Sequence, residues 1–529
     1  MLIEKAIAFL TLRRGASALV AGAVALIARL LLLPLIPAPQ PGIQDEFSYL
    51  LAGQTFAHGR LTNPTHPLWI HFETVHELSH PTYASKYPPA MGLTLALGQS
   101  VFGQPWAGVL LATAVMCALI CWALEGWLPP IWAFAGAMLA VMRIGACSYW
   151  SESYWGGSVT AIGGALVIGA LPRLLRHGRP GAALALGAGL AVLANSRPWE
   201  GAVLGAACIA VLMARFIVLV RGGHDRPWPL ARRVALPLLG VLMPIALWMG
   251  YYNYRVTGDA LLLPYQAYEA QYSLWSAFLW SNHPRPAPQY NHEAIRAAWV
   301  DWDGYMKRSE REYVLSVHGM DIVHLDFFFV GPVLTACVLF ALPSLWRKRR
   351  LRLAMMLLIV FYAGLAVECT ILPHYAAPGT ALVFVIVAAS VRAVVLRFRP
   401  GAARRWAAVI LLGGVALLDI TRWFDSRTHF LYDKRDFIAG RDLVLGRLKG
   451  EPGRHLVFVR YGPHHDLNRE WVYNDADIDN SWTVWARAMP GGRDEEVLRY
   501  YPYRRVWLLE DDGKVTLKPY SGPVGGLLN

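Results

Sequence analysis

The segment Gln44-Asp45-Glu46-Phe47-Ser48-Tyr49-Leu50 follows an apolar run over residues 16–37 that is long enough to cross a membrane. It opens a long polar loop that closes with Tyr83-Ala84-Ser85-Lys86-Tyr87-Pro88-Pro89. Carboxylates beside a bilayer are costly to hold there, so by default they mark chemistry or transport. The stretch therefore predicts a helical membrane protein whose functional site begins directly after its first span.

The composition extends this prediction to the whole chain. Of 529 residues, 55% are hydrophobic and 16% are charged, and apolar runs near twenty residues recur, as in a polytopic membrane protein. The net charge is +13, and the basic residues cluster in short loops between these runs. This distribution is typical of membrane topology and does not indicate nucleic-acid binding. All six cysteines fall within apolar segments, so neither a disulfide framework nor a zinc cluster is indicated. The first span lacks a small-residue cleavage site and is expected to be an uncleaved anchor.

About eleven spans are expected. Some are short for a bilayer of ~30 Å, so we expect tilting or breaks in them. The Lys/Arg clusters share one side only if residues 88–103 form a juxtamembrane or re-entrant helix. The N-terminus (1–15) is then cytoplasmic, in a cell inner membrane. The candidate spans are 16–37, 105–124, 131–147, 157–172, 182–194, 200–220, 234–252, 326–346, 352–372, 377–396 and 404–422.

The predicted fold is an all-α membrane bundle over residues 16–422 with a small C-terminal extracytoplasmic α/β domain over 423–529. In that domain, β-branched and aromatic runs predict three short strands with a helix between the last two. Four polar segments fall on the outer face, where nucleotide sugars and ATP are absent. An enzyme there needs a donor that arrives activated, and a lipid phosphate is the common answer. The four segments are 38–104, 148–156, 253–325 and 423–529.

Asp45 and Glu46 are the leading catalytic candidates. One carboxylate would take a proton from an acceptor hydroxyl while its neighbour orients or binds. The alternative is an acidic pair favoured by the dipole of a surface helix over 44–57. Lys86 would bind the phosphate of a lipid-linked donor; the alternative is an interfacial lysine that reaches up to water.

Three outer turns carry further candidates. Glu152 lies in an aromatic-rich turn, where rings beside a carboxylate suit a pyranose and an interfacial aromatic belt is the alternative. Arg197 is a lone basic residue in an outer turn, so it predicts an anion partner, either Glu200 or a phosphate. His374 and Tyr375 lie at the outer end of span nine, although a lone histidine there is more often structural.

The sequence His76-Glu77-Leu78-Ser79-His80 matches the zinc-protease motif H-E-x-x-H. That motif requires a helix, whereas Pro81 follows at once and no third protein ligand is evident. A zinc protease is therefore disfavoured. Arg29 and Glu368 fall inside predicted spans and should each face the bundle interior and find a partner.

The order of these features resembles the GT-C superfamily of integral membrane glycosyltransferases, closest to its protein O-mannosyltransferase and aminoarabinose transferase branch. The shared features are an acidic pair opening the first outer loop, a Lys-x-Pro-Pro-like closure before a horizontal helix, a carboxylate after span three and a late His-Tyr-x-x-Pro turn. The resemblance implies transfer of a sugar from a polyprenyl-phosphate carrier to a protein, lipid or glycan acceptor outside the membrane. It implies these site residues: Asp45 and Glu152 in catalysis, and Lys86, Arg197, His374 and Tyr375 in donor binding. Glu46, the neighbour of Asp45, is included with the catalytic candidates, and Tyr83, in the closure of the loop, with the donor-binding candidates.

Two other functions stay open. An O-antigen polymerase or ligase would use a lipid-pyrophosphate donor and arginines of the 253–325 loop, namely Arg285, Arg296, Arg308 and Arg311. A transporter or flippase should show internal repeats and charges at the membrane midplane, and no repeat stands out. No cofactor is indicated, and a requirement for a divalent cation is left open.

Overall fold

The computed structural model describes residues 14–222, 227–274, 277–281, 286, 288–301, 311–424 and 434–521. Most of these residues are helical. The helices in chain order are α1 (Arg14–Leu31), α2 (Gln44–Ala57), α3 (Trp69–Phe72), α4 (Pro89–Phe102), α5 (Pro105–Glu125), α6 (Pro130–Ala140), α7 (Gly157–His177), α8 (Pro180–Ala194), α9 (Pro198–Arg221), α10 (Pro227–Thr257), α11 (Pro264–Tyr272), α12 (Glu293–Arg296), α13 (Arg311–Phe329), α14 (Pro332–Trp346), α15 (Arg349–Leu365), α16 (Thr380–Val395), α17 (Ala402–Phe424), α18 (Arg435–Lys449) and α19 (Asp494–Tyr500).

The chain is a multi-pass membrane protein. Within the described residues, six helices are long and apolar enough to cross a bilayer, and a bent pair raises the number to as many as seven. Shorter apolar helices cover Gly15–Leu31, Pro130–Gly145 and Pro180–Ala194. The predicted number of eleven spans is therefore not confirmed, because several predicted spans form helices shorter than a bilayer requires.

The predicted span 326–346 is broken instead of continuous. Helices α13 and α14 meet at Val330–Gly331 with a bend of 102° between the segments Val317–Phe329 and Pro332–Trp346. Gly331 has φ +79°, a left-handed conformation that favours glycine, and Pro332 has no backbone N–H with which to continue the preceding helix. Together these two residues end α13 and start α14 in a new direction.

Helix α2 is fixed by close packing on α4. A Cβ atom added at Gly53 would lie 2.8 Å from the Leu95 side chain, and one at Gly92 would lie 2.6 Å from the Ala52 side chain. Such approaches exclude larger residues, so small residues set the distance between the two helices. The acidic pair thus opens a helix whose position is set by the segment after Pro88-Pro89.

Two small sheets lie beside the helices. In the first loop, β1 (Asn63–Pro64), β2 (Glu77–Leu78) and β3 (Thr82–Ser85) form an antiparallel sheet in the order β1-β3-β2. The C-terminal domain has a mixed sheet in the order β5-β4-β6-β7, in which β4 runs parallel to both neighbours. Its strands are β4 (His455–Tyr461), β5 (Thr483–Arg487), β6 (Arg505–Asp511) and β7 (Val515–Pro519). The sequence analysis predicted the first three of these strands and missed β7, an edge strand antiparallel to β6.

The long first loop contacts each of the other three segments predicted to be outside the membrane. The Phe47 ring stacks on Tyr473 of the C-terminal domain, with ring centroids 4.3 Å apart. The backbone N–H of Tyr154 donates to Glu46, and the Tyr272 hydroxyl donates to Glu73. These segments therefore form one polar layer at a single end of the helical bundle.

Candidate functional site

Asp45 lies in the first turn of α2, where the helix dipole favours a carboxylate. Its carboxylate accepts a hydrogen bond from the Tyr87 hydroxyl. Burial raises the pKa of Tyr87 well above its usual range, so this hydroxyl keeps its proton and acts as a donor. The Nε2 atom of His76 lies 3.9 Å from Asp45 Oδ2. The Asp45 side chain remains about one-quarter exposed (26%), so a substrate can reach it.

His76 is held in an unusual backbone conformation beside Asp45. Its φ is +68°, which non-glycine residues rarely adopt. The backbone is fixed on both sides, because its N–H donates to the Tyr268 hydroxyl (2.7 Å) and its carbonyl accepts from the Ser48 hydroxyl (2.6 Å). The H-E-x-x-H segment that begins here is extended over β2, so its two imidazoles do not share a helix face. Within the described ranges, no group of three or more His, Cys, Asp or Glu side chains is placed to hold a metal ion.

Lys86 is buried (3% exposed) among aromatic rings. Its Nζ lies 4.8 Å from the ring centroids of Tyr265 and Tyr268 and 5.5 Å from that of Trp299. Glu269 Oε1 is 4.0 Å away. Ring faces attract a cation, so this enclosure stabilises the ammonium and fixes its position.

Arg197 lies in the turn between α8 and α9, as the sequence predicted. Its guanidinium stacks on the Tyr375 ring at 4.0 Å and lies 3.5 Å from Glu200 Oε1. Glu200, one of the two predicted anion partners, thus lies beside the guanidinium, and a phosphate partner stays a prediction. Burial, with Arg197 nearby, holds the pKa of His374 well below its usual range, so the imidazole is neutral. Its Nδ1 is hydrogen-bonded to the Tyr149 hydroxyl at 3.0 Å.

These side chains line two adjoining chambers. The larger, which we call the apolar chamber, has a volume of about 460 Å³ and is walled mainly by apolar and aromatic side chains, including Trp199, Met249 and Phe278. The smaller polar chamber, about 220 Å³, contains Asp45, His76 and His374. Residues that line both chambers are Lys86, Tyr87, Arg197, Tyr265, Thr370 and Tyr375. Two cations thus lie at the junction of an apolar and a polar compartment.

The other three predicted residues lie in the buried layer around the chambers. Glu46 is fully buried and accepts hydrogen bonds from Lys434 Nζ at 2.7 and 2.8 Å. Glu152 pairs with Arg29, whose Nη2 is 2.9 Å from Glu152 Oε2. The Tyr83 hydroxyl donates to the Asn474 carbonyl of the C-terminal domain at 3.0 Å. Each of these side chains is engaged by a partner from a distant segment.

Several residues that line the chambers or lie beside them escaped the sequence analysis. Tyr87 was quoted only as the neighbour of Lys86, and the tyrosines of α11 were not singled out. The signal for the latter was present, because Tyr265, Tyr268 and Tyr272 recur at the spacing of one helix face. Glu368, predicted inside span nine, instead lies three residues beyond the end of α15 and lines the apolar chamber.

Of the four arginines expected for a pyrophosphate-dependent enzyme, Arg296 is the one whose side chain lies within the described residues. Arg296 forms a surface ion pair with Glu293 at 2.6 Å. The side chain of Arg311 lies outside the described residues, as do Arg285 and Arg308.

No protein-family model matches the chain, and no curated protein matches it. Its fold is similar to that of ArnT from Cupriavidus metallidurans bound to undecaprenyl phosphate, with a TM-score of 0.51 and 13% identity over 93% of this chain and 92% of that one. The apo state of the same protein gives a TM-score of 0.50, also at 13% identity, over 93% and 92% of the two chains. The archaeal oligosaccharyltransferase AglB from Archaeoglobus fulgidus, in complex with an inhibitory peptide and a dolichol-phosphate, gives 0.48 at 11% identity over 94% and 69%. The similarity to ArnT confirms the predicted GT-C-like resemblance at the level of the fold.

Proposed function

We propose that this protein is a membrane glycosyltransferase that moves a sugar from a polyprenyl-phosphate donor to an acceptor hydroxyl. The observation that carries the proposal is the placement of Lys86 and Arg197 where the apolar chamber meets the polar chamber that contains Asp45. A lipid phosphate sugar has the same order of parts, namely a hydrocarbon tail, an anion and a polyol. The undecaprenyl phosphate bound to ArnT, a protein of similar fold, supports this class of donor.

In the proposed complex the isoprenoid occupies the apolar chamber and the phosphate lies between Lys86 and Arg197. Both cations are held before the substrate arrives, Lys86 by aromatic rings and Arg197 by Tyr375 and Glu200. Charges fixed in advance stabilise a leaving phosphate without reorganisation, which is often the largest single contribution to catalysis. In this complex the neutral, buried His374 forms a hydrogen bond with the sugar.

Asp45 is the proposed general base. The acceptor oxygen attacks the anomeric carbon while its proton passes to the Asp45 carboxylate. The bond between that carbon and the phosphate oxygen breaks, and the polyprenyl phosphate leaves with the electron pair. Attack opposite the leaving group inverts the anomeric centre. Tyr87 orients the base through its hydrogen bond. We assign Glu46, Glu152 and Tyr83 to the support of this site, because their partners lie in the buried layer.

The reaction is proposed to occur outside the cytoplasmic membrane, with the N-terminus inside and the C-terminal domain outside. An enzyme using a lipid pyrophosphate is the rival, and it is tested by supplying monophosphate-linked and pyrophosphate-linked donors separately.

The test is turnover of the polyprenyl-phosphate sugars extracted from host membranes, measured as released polyprenyl phosphate with purified protein. Asp45→Asn should lower turnover by about 10²–10⁴-fold, as expected on loss of a general base, while binding of undecaprenyl phosphate is preserved. Glu495→Gln, on the surface of the C-terminal domain, serves as the control. Wild-type turnover by Asp45→Asn would remove Asp45 from the mechanism.

A further inference from the structure

Glu368 is a buried acid in the apolar chamber to which the mechanism above gives no role. Glu368 is 8% exposed, and its Oε1 atom has no hydrogen-bond partner among the described residues. Burying a carboxyl oxygen without a partner is costly, so natural proteins rarely retain one without a reason. The chamber wall therefore contains a polar group that lacks the contact it needs.

The backbone around Glu368 is fixed. Its own N–H donates to the Leu365 carbonyl at the end of α15 (2.9 Å). The flanking residues bond to a neighbouring loop, with Leu279 N–H donating to Val367 and Cys369 N–H donating to Ala277, both at 2.9 Å. Phe278 and Glu368 face each other in an isolated β-bridge. The carboxyl group is consequently held at one place in the wall.

The charges around this position oppose an ionised Glu368. Arg197 is 3.5 Å from Glu200, so its charge is already matched by one carboxylate. Burial, reinforced by the Glu200 carboxylate and opposed by Arg197, raises the pKa of Glu368 to about 9. The other titratable or charged groups that line the chamber are Tyr49, Lys86, Tyr87, Tyr252, Tyr265, Cys369 and Tyr375. At neutral pH the Glu368 carboxyl therefore keeps its proton and is a hydrogen-bond donor.

We propose that Glu368 donates a hydrogen bond from its protonated carboxyl to the phosphate of the lipid donor, beside Lys86 and Arg197. This inference rests on the proposed function and adds a third, uncharged ligand to the phosphate site. A neutral carboxyl can approach a phosphate, whereas a carboxylate in the same place would repel it. Lipid binding is thereby coupled to one proton on the protein.

The sign of the pH dependence follows from this coupling. Phosphate binds the protein whose Glu368 is protonated. Affinity is therefore highest and constant below the pKa of Glu368 in the free protein, and it falls as the pH rises through about 9. A phosphate monoester has a second pKa near ~6, so its own charge is constant from pH 7 upward. Changes between pH 7 and 10 then report on the protein.

The test is the affinity of the purified full-length protein in nanodiscs for undecaprenyl phosphate, measured from pH 7 to pH 10. Wild-type affinity should be constant to about pH 8 and then fall, approaching tenfold per pH unit above 9. Glu368→Gln keeps a neutral N–H donor, so it should bind within about threefold of wild type at pH 7. Its affinity should not show the fall that wild type shows above about pH 8. A pH dependence of affinity that wild type and Glu368→Gln share arises from a titratable group other than Glu368.

Glu368→Ala should bind at least about tenfold more weakly at pH 7, since hydrogen bonds to charged groups are among the stronger ones. Two results would overturn this inference and leave the proposed function standing. One is equal affinity of Glu368→Ala and wild type for the lipid, and the other is the same pH dependence of affinity in wild type and Glu368→Gln. Absence of undecaprenyl phosphate binding by wild type at every pH would overturn the proposed function as well. Inorganic phosphate is the second probe. The same fall above about pH 8, at lower affinity, would show that the protein recognises the phosphate group itself. Binding of inorganic phosphate as tight as that of the lipid would overturn the assignment to a lipid donor.

Discussion

Replacing Lys434 should loosen the helix that carries Asp45, although Lys434 belongs to the far end of the sequence. Its Nζ donates to both oxygens of Glu46 at 2.7 and 2.8 Å and lies 3.4 Å from the Gln40 carbonyl. Both partners are buried, Glu46 at 0% and Lys434 at 3% exposure. The pair therefore ties the start of the C-terminal domain to the first turn of α2.

The size of the effect follows from what Lys434→Met leaves behind. Removing one partner of a buried ion pair typically costs about 3–5 kcal/mol, because the other charge stays buried without compensation. Glu46 would keep backbone donors at Gly42 (2.9 Å), Ile43 (3.2 Å) and Tyr154 (3.1 Å). We therefore expect the low end of that range, about 3 kcal/mol. Glu46→Gln should strand the lysine in the same way, and the double variant should lose less than the sum of the two.

Hydrogen–deuterium exchange in nanodiscs measures this locally. A loss of about 3 kcal/mol corresponds to roughly 100-fold faster exchange through local opening. Faster exchange is expected over residues 42–57 and 434–449, with no change in α5. Lys449→Met, an exposed lysine at the end of α18, is the matched control. Exchange over 42–57 within threefold of wild type in Lys434→Met would refute the reasoning, as would strictly additive effects in the double variant.

Three further results are expected. Tyr87→Phe should lower kcat about tenfold with little change in the KM for donor, because it removes one hydrogen bond that orients the base; a raised KM with unchanged kcat would instead place Tyr87 in donor binding. Arg29→Met should lower the melting temperature, because Glu152 stays buried without its ion-pair partner at a cost of about 3–5 kcal/mol. Combining Arg29→Met with Glu152→Gln should recover part of that lost stability. No recovery in the double variant would mean that the two residues are not coupled. Burial raises the pKa of Glu77 well above its usual range. The native state therefore holds a proton that the unfolded chain releases above about pH 4.3, so the stability of wild type falls as the pH rises above that value. Glu77→Gln should therefore melt above wild type at pH 8 but not at pH 4.5, and equal slopes between pH 5 and 8 would contradict this.

Local sequence signals predicted much of the site. The surface helix over 44–57, given as the alternative interpretation of the acidic pair, coincides with α2. The charge asymmetry of the loops predicted four polar segments on one side, and the first of them contacts each of the other three. Asp45, Lys86, Arg197, His374 and Tyr375 were each predicted from a local motif, and they line the same two chambers.

Pairings between distant segments could not be predicted in the same way. Arg29 and Glu152 are 123 residues apart, and Glu46 and Lys434 are 388 apart. Arg29, Glu46 and Glu152 were candidates in the sequence analysis and Lys434 was not, and nothing local in the sequence names a partner. Glu46 and Glu152 are each engaged in a buried ion pair, and their catalytic roles stay predictions. The break between α13 and α14 was not located either, since hydropathy does not register the turn that Gly331 and Pro332 impose.

The central claim is that a lipid phosphate lies between Lys86 and Arg197 with Asp45 on the sugar side. A cryo-electron microscopy map of the protein in nanodiscs with undecaprenyl phosphate tests it most directly. The account predicts phosphate density within hydrogen-bonding distance of both cations and isoprenoid density in the apolar chamber beside Trp199 and Phe278. Phosphate density elsewhere, for example against Arg143 and Arg422 at the break between α13 and α14, with both chambers empty of lipid, would contradict it.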